Sequence, residues 1–363
     1  MTAKKILLVI KTLGVGGAER LILQAAPCLS KSRNFSYSVL FLSEPSSLAG
    51  EIEKRGIPVS GAGFRGSLPT PSGWRSLKSA AQQADLVHAH LPVTGFFSLL
   101  AAGGKPVVYT EHTIPTYHHP LTRLAGKWAY PKYTRLIGVS GAVADAVSKI
   151  SGKSALVIEN GVDLLAFQNA AAANLPVPAD APVLLMLGRL VPDKNPLLAV
   201  RVMKRIAEEF PKAHLLFAGE GPLQSECEKE TKRLGLGERV HFLGLRSDVP
   251  GLLAKSMLVL NTSRVEGHPI GLIEAQAAGK AAVAPQAGGV PEVIRAGETG
   301  ILYPAGDEEA CAKAVVELLK NQKLRDQMGE AGRKNARERF DIARWVERHE
   351  ALYEEILQDG GCR

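Results

Sequence analysis

Cysteine is scarce in this sequence of 363 residues. Its four cysteines (Cys28, Cys227, Cys311 and Cys362) are widely scattered, form no CxxC pair and have no histidine nearby at the spacing of metal ligands. These absences argue against a disulfide framework and against a zinc site. We therefore expect reduced cysteines with structural roles.

Long hydrophobic runs are also absent. No stretch approaches the roughly 18 uncharged residues of a membrane-spanning helix. A strand-like pattern starts at Ile6, without the shape of a cleavable signal peptide before it. From these two absences we expect a cytoplasmic protein.

Acidic residues are sparse in the first half of the chain. Residues 1–165 contain 18 Lys and Arg but 9 Asp and Glu, whereas the remainder contains 26 and 27, so the net charge of +8 comes from the first half. Such a basic region suits an anionic lipid surface or an acidic acceptor, although solubility alone would also explain it. Nucleic acid ranks last, because the chain has no recognition motif and no aromatic RNA-binding pattern.

The usual nucleotide-binding glycine fingerprints are missing. The segment TLGVGGAER places Gly14, Gly16 and Gly17 after the first predicted strand, but Glu19 stands where the dinucleotide fingerprint needs glycine, and no GK[ST] follows. A nicotinamide dehydrogenase is therefore disfavoured. Glycines at a strand end let the backbone approach a phosphate or a sugar, and tight strand-to-helix packing explains them equally well.

Two series of short apolar runs alternate with helix-length segments. The first series contains KILLVI, SYSVLFL, DLVHAH, KPVVYTEH and TRLIGVS, and the second contains VLLMLG, HLLFAG, VHFLG, MLVLN and AAVAP. This alternation predicts an α/β fold of two Rossmann-like, doubly wound parallel-sheet domains facing a central cleft. We predict a first domain over 1–165, a proline-rich linker over 166–182, a second domain over 183–340 and a C-terminal helix over 341–363 that packs back on the first domain.

Two glutamates flank Pro269 in the segment VEGHPIGLIEAQAAGK. A strand-like run precedes this segment and a helix-like run follows Pro269, so the proline predicts a helix entrance, with Glu266 on the loop and Glu274 in the first turns. A helix N-terminus offers free N–H groups to phosphate, and the carboxylates can accept hydrogen bonds from hydroxyls. Together they suggest a nucleotide sugar, although a helix-dipole role is the simpler interpretation of Glu274 alone.

Other strand ends carry further polar candidates. Arg189 and Lys194 follow a buried strand in MLGRLVPDKNP and are well placed to neutralise a diphosphate, although each alone would read as a solvated surface charge. His112, in VVYTEHT, can bond a sugar hydroxyl or a reacting oxygen. His88 and His90 alternate along a neighbouring strand and are equally explained by packing, and metal binding there is disfavoured.

Together these segments resemble the retaining glycosyltransferases of family 4, the group 1 glycosyl transferases, which have the two-domain GT-B fold. The resemblance covers nearly the whole chain and depends on the order of GVGGAER, YTEH, IGVS, ENGVD, GRLVPDKNP, FAGEGPL, VHFLG, EGHPIGLIEAQAAGK, QAGGVPEVI and GILYPAGD. It implies that the second domain binds a UDP- or GDP-sugar and needs no other cofactor. It also implies that the first domain binds a glycan, lipid-linked or small-molecule acceptor, in the synthesis of cell-surface polysaccharide or glycolipid.

The resemblance implies roles for individual residues. Arg189 and Lys194 match the diphosphate-binding pair, Glu274 matches the ribose-binding glutamate, Glu266 the glutamate near the donor sugar and His112 the histidine near the transferred sugar. The predicted catalytic set is His112, Glu266, Arg189 and Lys194. The remaining donor-binding residues that it implies are Gly16, Gly17, Glu220, Leu243, Gly244, Leu245, Gly267, His268, Pro269, Ile270, Gly271 and Leu272.

Two residues depart from the family pattern. His268 stands where the family often has a bulky apolar residue and Gln276 where methionine is common, so either can tune donor or acceptor choice or have no effect. Retention without an obvious enzymic nucleophile implies front-face transfer, in which the leaving diphosphate helps deprotonate the acceptor. Because the chain has no DxD motif, we expect the cations to replace a metal ion.

Competing interpretations come from other classes. A GT-B epimerase or phosphorylase would share the fold, and a non-catalytic sugar-nucleotide-binding protein would share the site. The basic and aromatic segment Pro115–Arg135 suggests peripheral contact with the inner face of an anionic membrane, and hence a lipid-linked acceptor. A packed surface helix is an equal alternative for this segment.

Overall fold

The computed structural model describes residues 3–14, 16–168 and 170–359. The chain divides into two compact units, which are Met1–Gly161 with Ile342–Arg363 (unit 1) and Val162–Asp341 (unit 2). Cys28, Cys227 and Cys311 are free thiols, whereas Cys362 lies outside the described residues.

Unit 1 is built on a parallel sheet of seven strands in the order β3-β2-β1-β4-β5-β6-β7. The strands are β1 (Lys4–Ile10), β2 (Phe35–Phe41), β3 (Val59–Gly61), β4 (Leu86–His90), β5 (Val107–Glu111), β6 (Arg135–Gly138) and β7 (Leu156–Val157). The helices between them are α1 (Gly17–Leu29), α2 (Ala49–Lys54), α3 (Pro71–Gln83), α4 (Pro92–Ala101), α5 (Pro120–Ala129) and α6 (Gly141–Ser151), with 3-10 helices at Pro115–Tyr117 and Tyr130–Lys132.

Unit 2 is built on a second parallel sheet of six strands in the order β10-β9-β8-β11-β12-β13. The strands are β8 (Val183–Leu187), β9 (His214–Ala218), β10 (Val240–Phe242), β11 (Leu258–Leu260), β12 (Ala282–Pro285) and β13 (Gly300–Tyr303). The helices are α7 (Pro196–Glu209), α8 (Gln224–Arg233), α9 (Val249–Lys255), α10 (Ile270–Ala277), α11 (Val290–Val293), α12 (Glu308–Lys320) and α13 (Gln322–Arg339), with 3-10 helices at Leu164–Phe167 and Pro192–Lys194.

The last helix, α14 (Ile342–Asp359), belongs to unit 1. Its apolar stripe is buried, since Trp345, Leu352, Tyr353 and Ile356 are each at most 5% exposed. The helix packs along α1, and the Tyr37 hydroxyl donates a hydrogen bond of 3.0 Å to a carboxylate oxygen of Glu350. Burial of four large apolar side chains is the main stabilisation of this contact.

The two parallel sheets with interleaved helices confirm the predicted fold class. The central strands of both sheets are almost fully buried, as is typical of a sheet covered on both faces. Each of the ten apolar runs contains a strand, whereas the sequence analysis missed β3, β7 and β13, which lie at sheet edges. Within the described residues, no helix is both long enough and apolar enough to span a bilayer.

Candidate functional site

The loops that follow β8, β9 and β10 meet at one edge of the unit 2 sheet. The Gly188 N–H donates to the carbonyl of Ala218 at 3.1 Å, and the Gly219 N–H donates to the carbonyl of Gly244 at 2.8 Å. Gly219 has a φ of +147°, and a Cβ there would stand 2.1 Å from the Gly188 carbonyl oxygen, so only glycine allows this approach. Arg189 therefore projects from a loop whose backbone is fixed on both sides.

Glu220 links two of these loops. Its backbone carbonyl accepts a hydrogen bond of 2.9 Å from the Leu190 N–H, and its carboxylate accepts one of 3.4 Å from the Leu245 N–H. Leu243, Gly244 and Leu245, the predicted donor-binding residues after β10, thus lie beside Glu220. The Arg189 carbonyl accepts a hydrogen bond of 3.0 Å from the Val191 N–H. Its side chain is exposed and, among the residues that the structure describes, makes no hydrogen bond or ion pair.

Lys194 and Glu266 form a direct ion pair, with Nζ and Oε1 2.5 Å apart. Lys194 ends the 3-10 helix after β8, and Glu266 lies on the loop between β11 and α10. The Glu266 side chain is 9% exposed and that of Lys194 is 25% exposed. The pair is thus accessible mainly through the ammonium, which keeps N–H groups for a further acceptor.

Neighbouring polar groups fix the Glu266 carboxylate. Its Oε1 atom also accepts hydrogen bonds from the Ser263 hydroxyl at 2.7 Å and from the Asn261 amide at 3.4 Å. No hydrogen bond from the described part of the chain reaches Oε2. One carboxylate oxygen is therefore held by the protein while the other remains able to accept a hydroxyl.

Three further hydrogen-bond contacts hold the Lys194 turn against the Glu266 loop. The Thr262 hydroxyl donates to the carbonyls of Lys194 and Asn195 at 3.1 and 3.0 Å, and the Arg264 N–H donates to the carbonyl of Asp193 at 2.7 Å. The segment Asn261–Arg264 thus holds the Lys194 turn and the Glu266 loop together. This support was not predicted from the sequence, although the polar run NTSR directly after a buried strand indicates it.

Helix α10 begins directly after Pro269, as predicted. Within the described residues, the N–H groups of Ile270 and Gly271 have no acceptor, as is usual in the first turn of a helix. Gly271 lies against β8, because a Cβ there would stand 3.2 Å from the Cβ of Leu187. Glu274 is 3% exposed, one turn further along the helix. This edge of unit 2 therefore combines a helix N-terminus, a lysine and two buried carboxylates.

His268 and Gln276, which depart from the family pattern, are both buried inside unit 2. Burial, with a smaller contribution from Arg339, lowers the pKa of His268 to about 3. The Gln276 amide donates a hydrogen bond of 2.6 Å to the Val293 carbonyl and accepts one of 2.7 Å from Asn335. Gln276 thus links α10 to α11 and α13.

The predicted residues Gly16, Gly17 and His112 belong to unit 1. Gly16 precedes α1, and a Cβ there would stand 2.3 Å from Oε2 of Glu19, so the glycine makes room for this carboxylate. His112 follows β5, and its Nε2 lies 3.0 Å from Nδ1 of His90. Burial, followed by the nearby His349, lowers the pKa of His112 to about 4, so its imidazole is neutral near pH 7.

A cluster of four histidines extends from His112 to α14. His112, His90, His88 and His349 follow one another with ring centroids 5.3, 4.3 and 5.3 Å apart. His88 also bonds the hydroxyl of Tyr353 at 2.5 Å. Desolvation is the first cause of a lowered pKa at each of the four. The alternation of VHAH along β4 was the sequence signal for two of them, but nothing in sequence linked them to His349.

Ser140 and Glu111 make structural hydrogen bonds inside unit 1. The Ser140 hydroxyl caps α6 by accepting from the Val143 N–H at 3.3 Å. Glu111 is fully buried, and its Oε2 accepts hydrogen bonds from the hydroxyls of Tyr109 and Tyr130 at 2.8 and 2.9 Å. In the described ranges, no group of three or more His, Cys, Asp or Glu side chains is arranged so that it could hold a metal ion.

Two family models match the chain. The model described as Glycosyltransferase Family 4 matches residues 15–164, and the model described as Glycosyl transferases group 1 matches residues 167–335. A phosphatidyl-myo-inositol mannosyltransferase of Mycobacterium leprae is 31% identical over 285 residues, which cover 76% of this chain and 75% of that protein. The chain belongs to the family 4, group 1 glycosyltransferases. This assignment confirms the family that the sequence motifs predicted.

Other relatives of this glycosyltransferase agree with the assignment. An N-acetyl-alpha-D-glucosaminyl L-malate synthase of Bacillus anthracis is 37% identical over 160 residues, which cover 44% of this chain and 42% of that protein. The crystal structure of Anabaena HepE in complex with UDP-glucose has a TM-score of 0.84 at 23% identity and covers 96% of this chain and 99% of its own. The chain thus has the GT-B fold and is a glycosyltransferase that acts on a nucleotide sugar.

Proposed function

We propose that this glycosyltransferase transfers a sugar, with retention of anomeric configuration and without a metal ion, from a UDP- or GDP-sugar to a hydroxyl acceptor. The acceptor would be a glycan or a lipid-linked molecule of cell-surface polysaccharide or glycolipid synthesis. The observation that supports this most is the ion pair of Lys194 with Glu266, and Glu266 lies four residues before the start of α10. The pair places a cation, which can bind a diphosphate, next to a carboxylate, which can accept a hydrogen bond from a sugar hydroxyl. A sugar diphosphate requires both groups.

Each group at this edge of unit 2 has a proposed task. Lys194 and the exposed Arg189 bind the diphosphate together with the first N–H groups of α10, because positive groups and a helix N-terminus both stabilise phosphate. The free Oε2 of Glu266 accepts a hydroxyl of the donor sugar. Glu274, in the second turn of α10, binds the ribose. Leu243–Leu245 and Glu220 contact the base.

The chemistry proposed is front-face transfer. The bond between the anomeric carbon and the diphosphate oxygen breaks, and the acceptor oxygen bonds to the same face of that carbon. The acceptor proton passes to the leaving diphosphate. Arg189, Lys194 and the α10 N-terminus stabilise the negative charge that develops there, and in this proposal they take the place of a metal ion. Neutral His112 donates or accepts a hydrogen bond at a sugar hydroxyl.

The partner of unit 1 is proposed to be the acceptor, with contact to an anionic membrane surface through its basic residues. Two relatives have names that suggest different acceptors, phosphatidyl-myo-inositol in one and L-malate in the other. The longer match, to the phosphatidyl-myo-inositol mannosyltransferase, supports the lipid acceptor.

A thermal-shift screen of UDP-, GDP- and ADP-sugars tests the donor. A ligand at about 100 times its dissociation constant stabilises a protein by about 2.7 kcal/mol, so the correct base gives a clear shift. Lys194→Ala and Glu274→Ala should abolish this shift and lower transfer. Lys212→Ala is the matched control, because Lys212 forms an exposed ion pair with Asp180 in the same unit.

Four results would contradict parts of the proposal. Unchanged nucleotide-sugar affinity in both Lys194→Ala and Glu274→Ala would contradict the donor site. Activity that EDTA abolishes and Mg²⁺ or Mn²⁺ restores would contradict metal independence. An inverted product anomer, measured by NMR, would contradict retention, and an isomerised donor without acceptor consumption would indicate an epimerase.

A further inference from the structure

The contact between His90 and His112 joins the ends of two neighbouring strands. His90 is the last residue of β4, and His112 directly follows β5, which pairs with β4 in parallel. Nδ1 of His90 and Nε2 of His112 are 3.0 Å apart, which is a hydrogen-bond distance. His90 is fully buried, whereas His112 is partly exposed. The contact therefore ties the candidate substrate-binding histidine to a side chain that solvent does not reach.

A single proton lies in this contact. Burial is the first cause that lowers the pKa of His112 to about 4 and the pKa of His90 well below 6.5, so both rings are neutral near pH 7. A neutral imidazole has one N–H donor and one nitrogen without a proton. Either His90 donates from Nδ1 to Nε2 of His112, or His112 donates from Nε2 to Nδ1 of His90. The two arrangements give His112 opposite tautomers.

The other ring nitrogen of His90 distinguishes these two arrangements. Nε2 of His90 is buried and has no hydrogen-bond partner among the described residues. If His112 were the donor, the proton of His90 would lie on this Nε2 as a buried N–H without an acceptor, and such groups are rare in folded proteins. If His90 is the donor, no N–H is left unpaired there. The second arrangement is therefore favoured, and it places the proton of His112 on Nδ1.

Nδ1 of His112 is the ring nitrogen that remains for a ligand. It makes no hydrogen bond within the described residues and is not sealed from solvent. The backbone of His112 is fixed as well, because its N–H donates to Oε1 of the buried Glu111 at 3.0 Å, and the Thr113 N–H donates to the same oxygen at 3.2 Å. Both the ring and the backbone of His112 are thus held in one orientation.

The chain is strained directly after His90. Leu91 has a φ of +77° and a ψ of 151°, a conformation that residues other than glycine rarely adopt. The Thr94 hydroxyl donates to the Leu91 carbonyl at 2.6 Å and helps to hold it. Strained backbone persists where its surroundings fix it, and such positions cluster at functional sites. The strain thus supports a functional reason for the placement of His90.

We propose that His90 is a positioning residue that keeps His112 in the Nδ1–H tautomer, so that His112 donates a hydrogen bond to an oxygen of the sugar. This inference rests on the substrate contact proposed for His112 and specifies its direction. The sugar oxygen that faces Nδ1 must therefore act as the acceptor. His88 does not share the role of His90, because its two ring nitrogens bond the hydroxyls of Tyr353 and Thr110.

NMR of the full chain, labelled with ¹⁵N in histidine, tests the tautomer directly. Long-range correlations from the carbon-bound ring protons distinguish Nδ1–H from Nε2–H, and His112→Gln identifies the signals of His112. Near pH 7 and without ligand, we expect Nδ1–H at His112 in the wild type and in His90→Asn, and a mixture of tautomers in His90→Leu. Asparagine keeps an N–H donor close to the Nδ1 position, whereas leucine has no donor.

Steady-state kinetics separate positioning from structural support. His90→Leu should lower kcat by about tenfold with little change in the KM of the donor, and His90→Asn should retain most of the wild-type kcat. In the His112→Gln background, His90→Leu should have no further effect on kcat, because the histidine that it orients is gone. His88→Gln is the matched control. It changes another fully buried histidine of the cluster and should leave the tautomer of His112 and kcat unchanged.

Several outcomes would overturn the proposal. An Nε2–H tautomer at His112 in the wild type would do so even if His90→Leu failed to fold, and wild-type kcat in a folded His90→Leu would do so as well. Independent losses of kcat in the single and double variants would show that His90 only supports the fold. Failure of the wild type to transfer sugar would contradict the proposed function instead, and the NMR spectra would still report where the proton of His112 lies.

Discussion

The two units are both parallel sheets covered by helices, but they differ in net charge. Unit 1 carries 21 Lys and Arg against 13 Asp and Glu, whereas unit 2 carries 23 of each. Inside unit 1 the histidines next to the predicted His112 site are buried and neutral. In unit 2 the corresponding feature is an ion pair, Lys194 with Glu266. Unit 1 therefore combines a net positive charge with buried neutral histidines. Unit 2 has no net charge and has a paired lysine and glutamate on its loops.

The difference has a thermodynamic consequence. A buried neutral histidine stabilises the fold only while it stays neutral, because its charged form would lose hydration that the interior does not replace. In the described part of unit 2, His268 is the buried histidine with a strongly lowered pKa. The proposed acceptor-side and donor-side units should thus respond differently to acid.

The largest predicted effect is selective acid destabilisation of unit 1. Folding lowers the pKa of His112 and of His349 from 6.5 to about 4, and those of His88 and His90 well below 6.5, so the unfolded chain binds more protons below pH 6.5. Stability must therefore fall as the pH is lowered from 6.5 towards 4, by about 2 kcal/mol at about pH 5 for each of His112 and His349.

Hydrogen exchange followed by mass spectrometry at several pH values measures this effect in each unit. Peptides from β4, β5 and α14 should lose protection before those of the unit 2 sheet, where His268 is the fully buried histidine with a strongly lowered pKa. The neighbours that modulate the cluster are Arg348, which lowers the pKa of His349, and the Trp345 carbonyl, which raises it. His349→Gln should reduce the acid dependence. An equal loss of protection in both units would contradict the prediction.

The second prediction concerns the ion pair of unit 2. Glu266→Gln preserves the size of the side chain and a hydrogen-bond acceptor for Ser263, but it removes the negative charge that pairs with Lys194. We expect nucleotide diphosphate affinity to be retained or increased, because Lys194 is then free for phosphate. Transfer should fall by about a hundredfold, or about 3 kcal/mol, because the hydroxyl-accepting carboxylate is lost.

Isothermal titration with UDP and GDP and steady-state kinetics separate these two effects. Glu298→Gln is the matched control, since Glu298 forms an exposed ion pair with Arg295 in the same unit. Normal turnover with lost nucleotide affinity would mean that Glu266 serves the diphosphate rather than the sugar, and the comparison between the units would need revision.

Much of the fold was readable from sequence because its signals are local. Buried parallel strands appear as short apolar runs, and Pro269 marks the start of α10 through its fixed φ. The missed strands β3, β7 and β13 are short edge strands. β3 and β13 contain glycine, and β7 has only two residues. An edge strand depends on a neighbour in space, which a local pattern does not show.

The site was readable only in part for the same reason. Arg189, Lys194, Glu266 and Glu274 stood out by residue type and by their positions at strand or helix ends. The direct contact of Lys194 with Glu266 spans 72 residues of sequence, and that of His88 with Tyr353 spans 265. Such contacts follow from the order of the strands in the sheet and from the way α14 lies on unit 1. The return of a C-terminal helix to the first domain was predicted, but the side chains that it contacts there were not.

The smallest predicted effect concerns the buried, uncharged hydrogen-bond network of Gln276, Asn335 and the Val293 carbonyl in unit 2. Gln276→Met introduces the residue common in the family but leaves the Val293 carbonyl and the Asn335 amide without their Gln276 partner. We expect a loss of about 2 kcal/mol in the free energy of unfolding, measured in urea, and unchanged donor affinity. Asn335→Leu combined with Gln276→Met should not recover this loss, because the Val293 carbonyl, which also accepts from the Asn335 amide at 3.5 Å, then loses both side-chain donors. If Gln276→Met instead changes donor preference at constant stability, Gln276 acts on specificity, and buried neutral polar groups in unit 2 are not only structural.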